Sequence, residues 1–207
     1  MTKQRVGVLI SGRGSNLGAL LAAQGPYCPY EIVAVGANLP DAGGLAIAAD
    51  YAVPAFVVDH RPFGRDRAAF EAEIDARLRA HGVELVALAG FMRVLTPWFV
   101  GRWSGALYNI HPSLLPLFPG VDTHRRALEA GVKVHGCTVH HVTEAVDDGA
   151  IIGQATVPVL PGDDVATLSA RVLVAEHALY PACLALVCSG EHARPGGETE
   201  ILPNAWT

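Results

Sequence analysis

The sequence predicts an α/β fold, with an open twisted sheet that is mostly parallel in the N-terminal half and has an antiparallel C-terminal addition. Through the first half, short apolar, β-branched runs alternate with stretches of helical period, which is typical of βαβ units. Further along, two strand-like runs face each other across a short polar turn, which is typical of an antiparallel pair. Together these patterns predict a Rossmann-like sheet with helices packed against it.

The first half supplies the parallel strands and the helices between them. Apolar runs predict strands over 6–10, 31–36, 55–58 and 83–89, and a further short strand ends near Asn109. Helical period predicts helices over 15–21, 44–51 and 64–81. In the last of these helices Phe70, Ile74 and Leu78 fall on one stripe, which we expect to be buried.

The second half begins with a proline-rich segment after His111 and continues with a short helix over 123–130. Strands are predicted over 134–142 and 150–159, joined by a turn over 144–149. A final helix begins at Asp163 or Asp164 as its N-cap, and we expect a kink or a break at Pro181. We expect one domain over residues 1–190, followed by a loosely packed tail over 191–207.

Charge and composition exclude several classes of protein. The chain has 15 basic and 20 acidic side chains and a net charge of -5, so no general field attracts nucleic acid or anionic lipid. The longest wholly apolar runs, such as 85–92, are far shorter than the roughly 20 residues of a membrane helix. The four cysteines show no Cys-x-x-Cys spacing. We therefore expect a cytoplasmic protein with no nucleic-acid or membrane partner.

A glycine-rich junction, Leu9-Ile-Ser-Gly-Arg-Gly-Ser-Asn-Leu17, joins the first strand to the first helix. Backbone amides at such a junction favour a phosphate group. A dinucleotide motif would need a third glycine at Leu17 and an acidic residue near Asn38, so that pattern fails. Ser15 or Asn16 is available as the N-cap of the first helix. Two interpretations of the loop remain: a phosphate cradle made by Gly14, Ser15 and Asn16, or a plain tight turn.

Asn109 and His111 are two residues apart at the end of a short strand, so their side chains share one face. An amide donor beside an imidazole can stabilise a developing oxyanion, which suits acyl transfer. The alternative is that His111 only caps the proline-rich loop.

The motif Asp147-Asp148-Gly149 lies in a predicted turn, where these residue types are common for conformational reasons alone. The functional interpretation makes one carboxylate a partner that favours the charged form of a nearby imidazole and passes a proton through water.

Metal binding and covalent catalysis are both disfavoured. His135, His140 and His141 are candidate ligands, but His140 and His141 face opposite sides of a strand and no further ligand has zinc-site spacing. The sequence has no Gly-x-Ser-x-Gly motif and no cysteine in a recognisable nucleophile motif. We expect no metal.

Five blocks of the sequence, taken in order, form a further pattern. They are Ser11-Gly-Arg-Gly-Ser-Asn16, Ala89-Gly-Phe-Met-Arg-Val-Leu95, Asn109-Ile-His-Pro-Ser-Leu-Leu-Pro116, His135-Gly-Cys-Thr-Val-His140 and Glu176-His-Ala-Leu-Tyr-Pro181. Together these blocks resemble the phosphoribosylglycinamide formyltransferase family, and the resemblance extends from Val6 to about Gly190.

The resemblance implies transfer of a formyl group from 10-formyltetrahydrofolate, as a co-substrate, to the amine of glycinamide ribonucleotide. It assigns the ribonucleotide to Gly14, Ser15, Asn16 and Glu176. It assigns the folate to Arg67, Met92, Arg93, Val94, Leu95, Thr143 and Asp147, with 143–147 as a loop that closes over it. It implies that Asn109, His111 and Asp147 are the catalytic trio.

One block departs from the family pattern. The family has Asp-Gly-Gly-Pro where this chain has Asp147-Asp148-Gly149-Ala150, and counting from Thr143 to Gln154 makes Asp147 the match. Because Asp148 replaces a glycine, we expect the loop to accommodate its side chain through the tolerance of Asp for left-handed backbone angles.

Other functions remain open at this point. A formyltetrahydrofolate deformylase would use the same trio with water as the acceptor. A nucleotide-binding module without activity and a metal hydrolase are further candidates. Relatives that formylate methionyl-tRNA would need an additional C-terminal domain, and deformylases usually carry an additional N-terminal regulatory domain; we expect neither domain in this chain. We expect small-molecule substrates and a monomer or homodimer.

Overall fold

The structure, a computed structural model, describes residues 2–190. The chain divides into two compact units, one ending at Asn109 and the other beginning at Ile110. The single domain expected over 1–190 stays a prediction, and the expected tail over 191–207 lies outside the described residues.

The first unit contains a parallel sheet. Its strands are β1 (Gln4–Ile10), β2 (Tyr30–Ala37), β3 (Ala55–Val57), β4 (Leu85–Leu88) and β5 (Leu107–His111), the last two residues of β5 belonging to the second unit. The strands lie in the order β3-β2-β1-β4-β5, and each neighbouring pair is parallel. The strand order reverses between β1 and β4, and such a switch point is where open α/β sheets bind ligands.

The helices of the first unit are α1 (Ser15–Ala22), α2 (Gly44–Asp50), α3 (Arg67–Ala80) and α4 (Pro97–Arg102), with a short 3-10 helix, Arg61–Phe63, before α3. The sequence analysis missed α4. Its signal is the pair Thr96-Pro97, because Thr96 is the N-cap and Pro97 lies in the first turn.

Helix α3 buries the predicted apolar stripe of Phe70, Ile74 and Leu78. It begins three residues later than expected because the side chain of Asp66 caps it, accepting a hydrogen bond from the amide of Ala69 (3.0 Å). A second face of α3, at four-residue spacing, carries Arg67, Glu71 and Asp75.

The second unit contains α5 (Thr123–Glu129), β6 (Val134–His141), β7 (Ile151–Pro158) and α6 (Val165–Cys188). Strands β6 and β7 are antiparallel, with a register shift between Val139 and His140. The predicted fold class, mostly parallel in the N-terminal half with an antiparallel C-terminal pair, is confirmed.

Of the two expected N-caps of α6, Asp163 and Asp164, the structure has Asp164. The side chain of Asp164 accepts a hydrogen bond from the amide of Thr167 (2.8 Å). A kink or a break was expected at Pro181; the break is wrong, because α6 continues to Cys188, and the kink stays a prediction. Buried residues on both sides of the proline hold the helix in place, and this packing outweighs one lost hydrogen bond. They are Leu179, Tyr180, Cys183 and Leu184.

By length and composition alone, α6 is apolar enough to cross a membrane. The core helices of soluble proteins meet the same criterion, and α6 packs against β6 and β7.

Candidate active site

The loop between β1 and α1 enters the helix through a glycine. Gly14 is the N-cap of α1 with φ 76°, and no side chain caps the helix, so the expectation that Ser15 or Asn16 is the cap was wrong. A left-handed glycine brings the chain directly into the helix, and Ser15 and Asn16 then occupy its first turn. A Cβ on Gly14 would lie 2.5 Å from the Cα of Gly44, so this position has no room for a side chain.

The loop after β4 is joined to the loop after β1 by Ser11. The amide of Ser11 donates to the carbonyl of Gly90 (3.2 Å), and the amide of Met92 donates to the hydroxyl oxygen of Ser11 (2.7 Å). Since β1 and β4 border the switch point, these bonds fix two loops at the edge where ligands bind.

The structure brings Arg67 into contact with Val94 in the run Met92 to Leu95, and the resemblance assigns Arg67 and this run to the same ligand. The guanidinium of Arg67 donates to the carbonyl of Val94. The side chains of Met92 and Val94 are 73% and 62% exposed, so apolar surface is available here to a ligand. Arg93 and Leu95 are half-buried.

Asn109 and His111 lie two residues apart on β5, so strand alternation directs both side chains to one face. Asn109 is half-buried and His111 is buried.

His111 has an acceptor at each ring nitrogen. Its Nε2 lies 3.1 Å from the carbonyl of Phe118, and since a carbonyl only accepts, Nε2 carries a proton. Its Nδ1 lies 3.4 Å from Oδ2 of Asp147. Both ring nitrogens of His111 therefore face an oxygen that can accept a hydrogen bond.

Asp147 is held from two directions. Its Oδ2 accepts a hydrogen bond from the amide of Gly120 (2.8 Å), and its side chain is only 10% exposed. Its φ is 54°, so Asp147 itself has the left-handed conformation. We expected Asp148 to use that tolerance, but Asp148 does not have a positive φ. The turn therefore orients the buried carboxylate of Asp147 and leaves Asp148 exposed.

His140 is a residue of this cluster that the sequence analysis missed, having considered it only as a metal ligand. Its Nε2 lies 3.7 Å from Oδ1 of Asp147, and its Nδ1 donates to the carbonyl of His141 (2.7 Å). Burial lowers the pKa of His140, so the ring is neutral near pH 7. No simple sequence signal marks this contact, because the register shift at His140 depends on its pairing with β7.

His135 pairs with another histidine. The Nε2 of His135 lies 3.2 Å from Nδ1 of His124, and the edge of one ring meets the face of the other. Burial lowers the pKa of His135 to about 4, and the neighbouring His124 adds to the effect. Within residues 2–190, no group of three His, Cys, Asp or Glu side chains is arranged to hold a metal ion.

The two remaining predicted residues lie elsewhere in the second unit. Thr143 is exposed in the loop after β6, where its hydroxyl donates to the carbonyl of Ala145 (3.1 Å). Glu176 is buried on α6. Burial raises the pKa of the Cys137 thiol, and the charge of Glu176 adds to that rise.

These groups suit acyl transfer. The His111 and Asp147 pair can hold a positive charge, and an amide beside His111 on the same strand adds a hydrogen-bond donor for an oxyanion.

The model of the formyl transferase family matches residues 4–184. This chain belongs to the formyl transferase family. Among formyl transferases, the phosphoribosylglycinamide formyltransferase of Escherichia coli (strain K12) is 42% identical over 184 residues, which cover 88% of this chain and 86% of that protein.

Other relatives are larger. The trifunctional purine biosynthetic protein adenosine-3 of Drosophila pseudoobscura pseudoobscura is 50% identical over 193 residues, and that of Gallus gallus is 51% identical over 189. The match covers 91% of this formyl transferase chain in both cases, but only 14% and 19% of those proteins.

Solved structures of formyl transferases are similar to this chain along most of its length. The phosphoribosylglycinamide formyltransferase of Brucella melitensis is 49% identical, with a TM-score of 0.87 over 91% of this chain and 97% of that one. The glycinamide ribonucleotide transformylase 1 of Symbiobacterium toebii is 46% identical, with a TM-score of 0.88 over 91% of this chain and 89% of that one.

Proposed function

We propose that this chain transfers the formyl group of 10-formyltetrahydrofolate to the amine of glycinamide ribonucleotide, giving N-formylglycinamide ribonucleotide in purine biosynthesis. The observation that carries the proposal is the contact between His111 and Asp147 (3.4 Å), in a chain 42% identical to a phosphoribosylglycinamide formyltransferase over most of both proteins.

The reaction proceeds without a covalent enzyme intermediate. The neutral amine of the ribonucleotide attacks the formyl carbon, and the formyl oxygen becomes an oxyanion. The side-chain amide of Asn109 donates a hydrogen bond to this oxygen. When the intermediate collapses, the bond between the formyl carbon and N10 of the folate breaks, and N10 receives the proton that the amine loses.

His111 supplies positive charge beside the oxyanion. Its Nε2 donates to the carbonyl of Phe118 in this structure. An oxyanion is a stronger acceptor than a neutral carbonyl, so Nε2 exchanges the bond to Phe118 for one to the developing charge. That exchange favours the transition state over the ground state, which is the condition for raising kcat.

Asp147 acts through His111 and through water. Its carboxylate favours the imidazolium, and its position in the turn lets it order a water molecule that carries the proton from the amine towards N10. The amide of Gly120 holds the carboxylate in place during these steps.

The substrates are assigned to the remaining residues. Gly14, Ser15 and Asn16 bind the phosphate of the ribonucleotide at the N-terminus of α1, and Glu176 binds its ribose and glycinamide portion. The folate is bound by the residues Arg67, Met92, Arg93, Val94, Leu95, Thr143 and Asp147.

One assay tests the proposal. Purified protein is incubated with 10-formyltetrahydrofolate and glycinamide ribonucleotide, and each is omitted in turn while the formylated ribonucleotide and formate are measured. We expect product only with both substrates, and no effect of a chelator. Formate released without the ribonucleotide would instead identify a deformylase. A thermal shift with phosphoribosyl ligands but no product would identify a binding module.

The proposal also covers the cellular compartment, the oligomeric state and the partners of the enzyme. It functions in the cytoplasm, as a monomer or homodimer, on small-molecule substrates and without a metal, a nucleic acid or a membrane. All four cysteines are free thiols, as expected in a reducing compartment.

A further inference from the structure

Helix α3 has a polar face that the proposed reaction does not use fully. Arg67, Glu71 and Asp75 lie at four-residue spacing, so they form one line along the helix. Glu71 is 1% exposed and Asp75 is also buried. Buried carboxylates are costly unless they are hydrogen-bonded, so their partners indicate what they stabilise.

Glu71 is bonded to the chain that follows β4. Its Oε1 accepts from the amide of Thr96 (2.8 Å), and its Oε2 accepts from the hydroxyl of Thr96. The same hydroxyl oxygen caps α4 by accepting from the amide of Phe99 (3.5 Å). Glu71 thus fixes Thr96, the residue at which the chain that follows β4 ends and α4 begins.

Three side chains hold this segment, residues 92–96, through its main chain. Ser11 accepts from the amide of Met92, Arg67 donates to the carbonyl of Val94, and Glu71 accepts from the amide of Thr96. Every second residue is therefore held, and within the described chain the main-chain groups of Arg93 and Leu95 make no hydrogen bond. The main-chain groups of Arg93 and Leu95, which we call the free edge of the segment, are therefore available to a ligand.

We propose that Glu71 is a positioning residue for the formyl donor: it fixes the end of segment 92–96 so that the free edge has the shape that binds the folate. The inference rests on the proposed function and adds to it a residue that does not itself touch the substrate. Removing Glu71 lets the segment move, so the folate binds less tightly, while His111 and Asp147 keep their chemistry.

Asp75 provides a matched control on the same helix face. Its carboxylate accepts from Arg79 (2.9 Å) and from Arg102 at the C-terminal end of α4 (2.9 Å). Like Glu71 it is a buried, hydrogen-bonded carboxylate, but its partners are arginines and it holds the far end of α4 instead of the segment.

The test compares Glu71→Ala, Glu71→Gln and Asp75→Ala. Affinity for tetrahydrofolate, the product, is measured by calorimetry under anaerobic conditions, below the Tm of every variant. Steady-state kinetics give KM for each substrate and kcat. Since a hydrogen bond to a charged group is lost, we expect Glu71→Ala to weaken tetrahydrofolate binding and raise KM for the formyl donor about tenfold. We expect kcat and KM for the ribonucleotide to stay within about twofold.

Glu71→Gln keeps an oxygen that accepts from the amide of Thr96, so it should restore most of the affinity. Asp75→Ala should lower the Tm without changing folate affinity. If Glu71→Ala does not fold, Thr96→Ala removes the hydroxyl bond to Glu71, together with the cap on the amide of Phe99, and keeps the bond from the amide of Thr96. It should raise the dissociation constant for tetrahydrofolate and KM for the formyl donor to a smaller extent.

The inference fails if Glu71→Ala leaves tetrahydrofolate affinity unchanged, or if Asp75→Ala weakens it equally. Failure of the proposed function is a different result, because the parent protein would then give no formylated ribonucleotide. A parent that does not bind tetrahydrofolate would overturn both.

Discussion

Nδ1 of His111 lies 3.4 Å from Oδ2 of Asp147, and the two side chains are 7% and 10% exposed. The carboxylate of Asp147 is held beside the imidazole of His111, because its Oδ2 also accepts a hydrogen bond from the amide of Gly120 (2.8 Å). A charge pair shielded from water in this way interacts more strongly than it would at the surface. The pair is therefore the first place to test the mechanism.

Asp147→Asn removes the charge but keeps a residue that tolerates the left-handed backbone at this position. We expect kcat to fall on the order of 10²-fold, because the imidazolium loses its partner and the water its acceptor. Asp148→Asn is the matched control, because Asp148 is the next residue in the chain and its side chain is exposed. The Asp148→Asn variant should retain nearly full kcat. Equal effects of the two substitutions on kcat would contradict the role given to Asp147.

Asn109→Ala removes an oxyanion donor, and we expect kcat to fall on the order of 10²- to 10³-fold with a small change in either KM. His111→Ala should have an effect of similar size. Steady-state rates with both substrates saturating provide the measurement. Turnover within a few-fold of the parent in either variant would show that the assignment is wrong.

Gly14→Ala tests the phosphate cradle. The new methyl group would lie 2.5 Å from the Cα of Gly44, at a φ of 76°. We expect the free energy of unfolding to fall by about 2 kcal/mol and KM for the ribonucleotide to rise. Gly12→Ala is the control, because nothing lies within 4 Å of a Cβ there. Ribonucleotide KM values that remain equal in the two variants would argue against a cradle at Gly14.

Thr138→Val tests the support of the proline-rich loop. The buried hydroxyl of Thr138 donates to the carbonyl of Ser113 (2.6 Å) and accepts from the amide of Leu115 (3.0 Å). Valine leaves both groups without that partner, so we expect a loss of about 2 kcal/mol in chemical denaturation. Thr156→Val, on the exposed side of β7, should cost little. A similar loss in both variants would mean that the Thr138 hydroxyl has no special role.

The stability of the fold should fall in mild acid. Burial lowers the pKa of His135 from 6.5 to about 4, so the unfolded chain binds a proton there more readily than the folded chain. The stabilisation is complete above about pH 6.5 and is lost as the pH falls towards 4. The pKa values of His124 and His140 are lowered too, so they act in the same direction.

Thermal unfolding between pH 7 and pH 4 provides the measurement for this prediction. The Tm of the parent should fall over that interval, and the Tm of His135→Gln should fall less. An unchanged pH dependence in the variant would contradict the prediction.

Patterns in the sequence predicted those features that depend on local periodicity and on capping chemistry. The buried stripe of α3 follows from the spacing of Phe70, Ile74 and Leu78, and the capping of α6 follows from Asp164. Both depend on residues close together in the chain, and that is why they could be read from it.

The features that were missed depend on contacts between distant parts of the chain. His140 meets Asp147 only after the register of β6 on β7 is set. Glu71 lies in a helical pattern where a glutamate is usually solvated. Its burial depends on its bonds to Thr96, which lies 25 residues further along the chain. The left-handed residue proved to be Asp147 because the turn as a whole, and not one replaced glycine, decides the backbone angles.

In segment 92–96 the path of the main chain does not depend on which side chains Met92 and Val94 carry. Ser11 and Arg67 hold the backbone of Met92 and Val94, while those two side chains face solvent. Substitutions at Met92 and Val94 can therefore alter the surface offered to a ligand without redirecting the chain. A library randomised at these two positions is a practical route to formyl transferases that accept altered folates.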